Sequence, residues 1–160
     1  MGTNKANELQ LIFDQFKHDS TFNGFKEFTS GHINDTYLIE TKQKPFYILQ
    51  KINHTIFKDV PGLVQNKVYV SKHIRKKLRH LSNTEIQKKV LTFIPVKDTG
   101  NYYLYIGNSY WNLMIFIENS ITYETVTDED IAYQGGLLLG EFLNLTADSD
   151  AAKLTEVIPR

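Results

Sequence analysis

A polar turn and a nearby lysine are the residues of this sequence whose types and spacing best suit chemistry. The turn consists of Ser30, Gly31, His32, Ile33, Asn34 and Asp35. Glycine adopts a positive φ without strain, and asparagine and aspartate tolerate left-handed geometry. Successive backbone N–H groups in such a turn form a concave anion site, for which phosphate is the natural guest. An ordinary hairpin turn that binds no ligand is the alternative for this segment taken alone.

The lysine, Lys51, lies in the apolar segment Phe46 to Ile52, whose length is typical of a strand. Strand alternation gives one face with Tyr47, Leu49 and Lys51 and another with Phe46, Ile48, Gln50 and Ile52. An ammonium beside apolar neighbours requires a partner. Because a one-residue shift in register exchanges the two faces, Gln50 is the alternative to Lys51 as the side chain that faces the phosphates.

Antiparallel strands are predicted to hold this turn and lysine in place. Residues 25–29 and 36–41 flank the turn with aromatic and β-branched side chains, which indicates a hairpin. A break at residues 42–45 then leads into the strand at residues 46–52. Three more strands are predicted at residues 90–96, 102–106 and 110–117, after a polar link at residues 82–88.

Two helices are predicted to cover this sheet. Residues 4–17 carry apolar side chains at spacings of three and four, which indicates one apolar helical stripe. Residues 60–78 form a second helix with Asp59 as its N-cap, and we expect it to press against the sheet beside Lys51. Together these elements indicate an α+β fold with an antiparallel sheet of five to six strands.

A last helix is predicted to begin at Thr127, where Asp130 completes a pattern similar to a capping box. Its apolar residues recur at helical spacing, and the chain offers little to cover them. Gly135, Gly136 and Gly140 indicate the close approach of another helix.

Composition and missing motifs exclude several function classes. The 160 residues fit one domain, and a zero net charge, from 18 basic and 18 acidic residues, favours neither nucleic acid nor membrane as a partner. The absence of cysteine excludes disulfides, thiolate catalysis and cysteine-bound zinc. No HExxH, G-x-S-x-G or Walker-type spacing occurs. No run reaches the ~18 apolar residues of a membrane span, so we expect a soluble, cytoplasmic protein.

Three segments of the sequence resemble a known family. SGHINDTYLI, YILQKIN and IFKDVPGL are similar to the N-terminal lobe of kinase-like small-molecule phosphotransferases. Within the aminoglycoside phosphotransferase family they are nearest to the N-acetylhexosamine 1-kinase group. The resemblance implies a protein-kinase-like N-terminal lobe with a packing helix after the third strand and a C-terminal linker helix.

The resemblance also implies roles for particular residues. ATP would place its phosphates under Ser30 to Asp35 and against Lys51, while backbone groups of a hinge segment bind adenine. The hinge corresponds to Phe116, Ile117, Glu118 and Asn119. Mg²⁺ and an acceptor hydroxyl, expected to belong to a sugar or similar compound, would be bound by a second lobe.

One position departs from the family pattern. The glutamate that usually pairs with the strand lysine corresponds to Gln65, which carries no charge. Glu118 or a missing part of the molecule would then supply the counter-charge.

The catalytic loop of the family has no counterpart in this sequence. That loop contains His-x-Asp followed by asparagine and a metal-binding aspartate, whereas every histidine here lies at or before His80. We therefore expect residues 1–119 to form a nucleotide-binding lobe and residues 120–160 the hinge and first helix of a truncated second lobe. Such a fragment would hold no catalytic residue or metal ligand and would be inactive alone.

Two other functions fit parts of the sequence. The basic cluster, defined as the lysine, arginine and histidine residues of 72–80, could bind nucleic acid, although a solvated helix face is the simpler interpretation because the cluster lacks aromatic residues. Alternatively, the domain could serve as a non-catalytic interaction module. Its glycine-bearing last helix would then be the contact surface. A complete module of this kind should remain monomeric, whereas an orphaned nucleotide-binding lobe that exposes this helix should self-associate.

Overall fold

The computed structural model of the chain describes residues 2–29, 31, 33–123 and 125–158. Within these ranges the chain has an α+β architecture whose strands all pair in antiparallel fashion. In chain order the elements are α1 (Gly2–Phe13), β1 (Phe22–Phe28), β2 (Asp35–Thr41), β3 (Tyr47–Ile52), α2 (Val60–Lys77), α3 (Asn83–Lys89), β4 (Phe93–Ile94), β5 (Leu104–Ile106), β6 (Ser109–Ile115) and α4 (Glu129–Thr146).

The described strands form one six-stranded sheet in the order β1-β2-β3-β6-β4, and β5 pairs with β6. The central pair is β3 and β6, which runs from Tyr47 opposite Ile115 to Ile52 opposite Tyr110. The polar turn joins β1 to β2 at the end of the sheet where Asp35 lies opposite Lys51. The predicted α+β fold with an antiparallel sheet of five to six strands is therefore confirmed.

Helix α1 covers one face of the sheet. Its apolar stripe, which the sequence predicts, continues into the residues just after the helix and is buried throughout. The residues in this core are Leu9, Ile12, Phe13 and Phe16 from the helical segment and Tyr37, Ile39, Tyr47, Leu49, Trp111 and Leu113 from the strands. Each fully buried side chain of this size contributes about 1.5–3 kcal/mol to folding, so this face anchors β3 and β6 firmly.

Helix α2 covers the opposite face. Val60, Val64 and Val68 recur every four residues and pack against Ile52 and Met114 of the central strands. The predicted N-cap is confirmed, since the Asp59 carboxylate accepts a hydrogen bond from the backbone N–H of Gly62 at 2.9 Å. Proline in the first turn suits a position where no backbone donor is required.

Several predicted elements differ from the structure. The prediction of a polar link at residues 82–88 is wrong, because Asn83–Lys89 forms α3 with a capping box between Ser82 and Glu85. The fourth strand is much shorter than predicted, at two residues, Phe93–Ile94. The last helix begins at Glu129, and its N-cap is Asp128, one residue after the capping position predicted at Thr127.

Helix α4 carries an apolar surface that no described part of the chain buries. Leu137, Leu138, Leu139, Phe142 and Leu143 are between 46% and 69% exposed. At its glycines, a Cβ atom would meet no other heavy atom within 4 Å, so the close helix contact predicted from them is not formed by the described residues. A charged contact, Lys89 Nζ to Glu141 Oε1 at 3.0 Å, helps to hold the helix.

Replacing the α2 cap tests how this helix is positioned. We expect Asp59→Ala to lower the free energy of unfolding by about 1 kcal/mol, because the Gly62 N–H loses its acceptor. Asp59→Asn keeps an acceptor in the same place and should retain most of the wild-type stability. Urea denaturation of the three proteins measures the difference, and equal losses in both variants would contradict the capping role.

Candidate functional site

The polar turn is tied to the end of β3 by a side chain. Two of its residues, Ser30 and His32, lie outside the described residues. Asn34 Oδ1 accepts a hydrogen bond at 2.9 Å from the backbone N–H of Asn53, the residue that follows β3. Neither Asn34 nor Asp35 has a positive φ, so this part of the turn does not use the left-handed geometry that these residue types tolerate. A cross-strand hydrogen bond therefore fixes this end of the turn.

A small cavity opens where the turn meets the end of β3. Its volume is about 230 Å³, and its lining includes Ile33 and Asp35 from the turn, Lys51 from β3, and Asn53 and His54 from the connector that follows. The structure thus brings together the turn and the lysine that the sequence singled out. The cavity contains cationic and anionic side chains as well as backbone polar groups.

Lys51 lies over an aromatic ring on the face of the sheet that α1 covers. Its Nζ is 5.9 Å from the centroid of the Trp111 ring, and Trp111 is opposite it in the sheet. An ammonium at this distance is attracted by the electron-rich face of an indole ring. Lys51 makes no ion pair with a described residue. A cation therefore lies half-buried in the cavity wall, compensated by a ring and not by a carboxylate.

The expected placement of α2 beside Lys51 is wrong. Helix α2 packs against Ile48 and Ile52, and strand alternation places Gln50 on that same face and Lys51 on the other. Gln50 Nε2 donates a hydrogen bond to Thr36 Oγ1 at 3.2 Å. The two alternatives for the phosphate-facing side chain thus lie on opposite faces of the sheet.

A polar row crosses the sheet on the α2 side. Thr36, Gln50 and Asn112 are neighbours on β2, β3 and β6. Asn112 is completely buried, and neither its amide nitrogen nor its amide oxygen has a hydrogen-bond partner in the described structure. An unpaired buried amide costs about 1–3 kcal/mol, so this position lowers stability at the centre of the sheet.

Neither Gln65, at the position of the family's glutamate, nor Glu118, the counter-charge considered for Lys51, lies near this lysine. Gln65 is exposed on α2, and α2 lies on the opposite face. Glu118 forms an ion pair with Lys44, which precedes β3. That pair lies at the opposite end of β3 from Lys51, so the expectation that Glu118 could serve as the counter-charge is wrong.

The segment Phe116 to Asn119 follows β6 at the far end of β3 from the turn. The backbone N–H of Phe116 donates to the Phe46 carbonyl at 2.9 Å, which continues the β3–β6 pairing by one residue. Asn119 has a φ of 57°, and the chain turns away from the sheet there. Phe46 and Lys51 are five residues apart on one strand, a distance of about 16 Å at a strand's rise per residue. This distance separates the two predicted parts of the site.

Other parts of the chain contact four residues of the basic cluster. Asp148 beside α4 accepts a hydrogen bond from His73 Nε2 at 3.0 Å and forms an ion pair with Lys77. These contacts, the Lys77 hydrogen bond first, hold the pKa of the Asp148 carboxyl below its usual value. Arg75 donates to Thr92 Oγ1 at 2.6 Å, and Lys72 Nζ lies 4.9 Å from the Tyr102 ring centroid. No local sequence pattern indicates these partners, because each is distant along the chain.

No known protein-family model matches this sequence. Among the described residues, no group of three or more histidine, aspartate or glutamate side chains is arranged to hold a metal ion. In the same part of the chain, no helix has both the length and the apolar character required to cross a bilayer.

Asn112 provides a test of the polar row. We expect Asn112→Leu, which keeps the side-chain branching, or the smaller Asn112→Val to raise the free energy of unfolding by up to about 2 kcal/mol, because each removes an unpaired buried amide. Asn112→Asp should lower it strongly, since a charge would be buried without a partner. Chemical denaturation measures these changes. A loss of stability in both apolar variants would show that the amide is hydrogen-bonded in solution.

Proposed function

We propose that this chain is the nucleotide-binding lobe of an ATP-dependent kinase that phosphorylates a hydroxyl group of a small molecule, with a sugar as the expected acceptor. The observation that carries the proposal is the arrangement along β3. The turn and Lys51 lie at one end of this strand and the segment Phe116 to Asn119 at the other. The separation of about 16 Å is comparable to the length of an extended nucleoside triphosphate.

Burial indicates which face of β3 would contact the nucleotide. Tyr47 and Leu49 are 4% and 0% exposed beneath α1, so that face is closed along most of the strand. Ile48 and Gln50, on the α2 side, are only half-buried. The nucleotide would lie on this less covered side, along the part of it that α2 leaves accessible, with adenine near Ile48 and the backbone of residues 116–119. Gln50 would face the ligand directly, and Lys51 would reach the phosphates from the end of the strand.

The charges of the cavity fit a phosphate group only in part. Lys51 would offset phosphate charge in the cavity that it lines with Asp35. The Asp35 carboxylate would repel a phosphate unless a cation lay between them, and Mg²⁺ with oxygen ligands would serve in that place. Carboxylate ligands from a second lobe would complete such a site.

The exposed surface of α4 supports a requirement for a second lobe. Five large apolar side chains in one helix remain in contact with water, which is unfavourable in a soluble domain. A second lobe that packs on α4 would bury them and would carry the catalytic aspartate, the metal ligands and the acceptor site. For the 160 residues alone we propose weak ATP binding and no phosphoryl transfer.

Isothermal titration with ATP and Mg²⁺ tests the nucleotide site on this chain. We expect weak, saturable binding that Lys51→Met or Gln50→Met reduces by about tenfold or more, because a hydrogen bond to a charged phosphate is worth about 1.5–3 kcal/mol. Lys17→Met, which removes an exposed lysine that does not line this cavity, is the matched control and should bind as the wild type does.

The two variants separate the two faces of the sheet. A loss confined to Lys51→Met assigns phosphate binding to the cavity at the strand end, whereas a loss confined to Gln50→Met assigns it to the open face. The proposal is overturned if ATP does not bind to folded protein, or if both variants bind as tightly as Lys17→Met. Steady phosphate release by the purified chain would contradict the expectation that these 160 residues alone are inactive.

A nucleic-acid-binding module is the second candidate, and the contact between Lys72 and Tyr102 favours it. This contact supplies the aromatic neighbour that the basic cluster lacks in sequence, and Lys76 and Arg79 are exposed nearby on the helix and just beyond it. In a gel-shift assay with single-stranded oligonucleotides, binding would weaken steeply with salt and depend on Lys76 and Arg79. An absence of any shift at low ionic strength removes this candidate.

A further inference from the structure

A second cavity lies away from β3, between α2, the segment after α3, helix α4 and the C-terminal segment. Its volume is about 470 Å³, within the range of about 300–1,000 Å³ typical of small-molecule sites. The walls are mostly apolar and include Val70, Ile74, Leu91, Phe142 and Leu154. Lys67 and Ser71 supply polar groups in the same cavity.

Helical spacing explains why these side chains meet. Lys67, Ser71 and Ile74 are separated by four and three residues and therefore share one side of α2. The C-terminal segment closes the cavity because Asn66 binds it at two points. Asn66 Nδ2 donates to the Thr155 carbonyl at 2.7 Å, and the Thr155 N–H donates to Asn66 Oδ1 at 2.9 Å. These two bonds hold the neighbouring Leu154 in the wall.

The ammonium of Lys67 is the unusual feature of this cavity. Lys67 is half-buried and has neither a hydrogen bond nor an ion pair with any described residue. The other cavity lysine, Lys89, is already paired with Glu141 at 3.0 Å. Burial lowers the pKa of Lys67 below the ordinary lysine value, as expected for a cation without a partner. An anion placed beside Lys67 would remove this penalty.

We propose that this cavity binds a small amphiphilic carboxylate, with its charged group between Lys67 and Ser71 and its apolar body against Ile74, Phe142 and Leu154. One unpaired ammonium balances one carboxylate. A phosphate dianion would leave excess negative charge among apolar walls, and a cationic amphiphile would meet a like charge. The site is separate from the nucleotide site proposed above and does not depend on it.

Such a ligand would also join α4 to the rest of the domain. Phe142 belongs to α4, a helix with no buried residue, whereas Ile74 is buried in α2. An acyl or aromatic group between these two side chains would bury part of the exposed α4 surface. Binding is therefore expected to slow amide hydrogen exchange in α4 as well as in the α2 segment around Lys67.

Titration of the full chain with octanoate tests the proposal, with calorimetry and ¹H–¹⁵N spectra as readouts. We expect saturable binding with chemical-shift changes in residues 66–74 and 138–145. Octanoate should also slow amide hydrogen exchange in these two segments relative to the free protein. Octylammonium and 1-octanol have a similar chain without the negative charge, so we expect them to bind at least tenfold more weakly. Lys67→Met should reduce octanoate affinity at least tenfold, whereas Lys58→Met, which removes an exposed lysine outside the cavity, should not.

The pH dependence keeps the test decisive if Lys67→Met fails to fold. Octanoate affinity should fall as pH rises through the lowered pKa of Lys67, and this fall should come at a lower pH than an ordinary lysine would give. Equal binding of octanoate and octylammonium, shifts outside the cavity, unchanged affinity in a folded Lys67→Met protein, or no binding of octanoate would each overturn the proposal.

Discussion

Burial of the central strands β3 and β6 between two helices is the constraint on which the rest of this structure depends. Because α1 covers one face and α2 the other, side chains that alternate along β3 enter two different cores. Leu49 and Ile52 are almost completely buried on opposite faces, which fixes the register of the strand. Every polar residue on β3 is therefore assigned to one face by its neighbours.

This double burial leaves the ends of β3 and the half-buried positions Ile48 and Gln50 on its α2 side for the candidate site. The polar turn is held to the end of the strand by the bond between Asn34 and Asn53. At the other end, the pairing of Phe116 with Phe46 fixes where the chain leaves the sheet. The positions of both parts follow from the strand pairing, and neither depends on contacts made by α4.

Much of this fold could be predicted from local patterns in the sequence. The stripe containing Leu9 and Phe13 and the cap at Asp59 are short-range signals, and the structure contains both. Helix α3 was missed because its sequence is polar, although Ser82 followed by Glu85 is a capping-box signal that could have identified it.

The site was less predictable because its geometry depends on contacts between distant segments. Alternation correctly groups Lys51 with Leu49, but it does not say which helix covers that face. The predicted position of α2 beside Lys51 is wrong for this reason, since α1 covers that face. The pairing of Glu118 with Lys44 and of Asp148 with His73 joins residues more than 70 positions apart. No local pattern encodes such pairs, so the pairing of Asp148 with the basic cluster is visible only in the folded chain.

The bonds between Asn66 and Thr155 have a mechanical consequence. They fasten the C-terminal segment along α2, and the backbone N–H of Asp150 adds a bond to the Tyr69 hydroxyl at 2.9 Å. These hydrogen bonds are exposed to solvent, whereas α2 is held to the sheet by buried valines such as Val64. A force that pulls the C-terminal segment outward would break these exposed bonds before it separated α2 from the sheet. The packing of α2 beside the half-buried side of β3 would therefore stay in place.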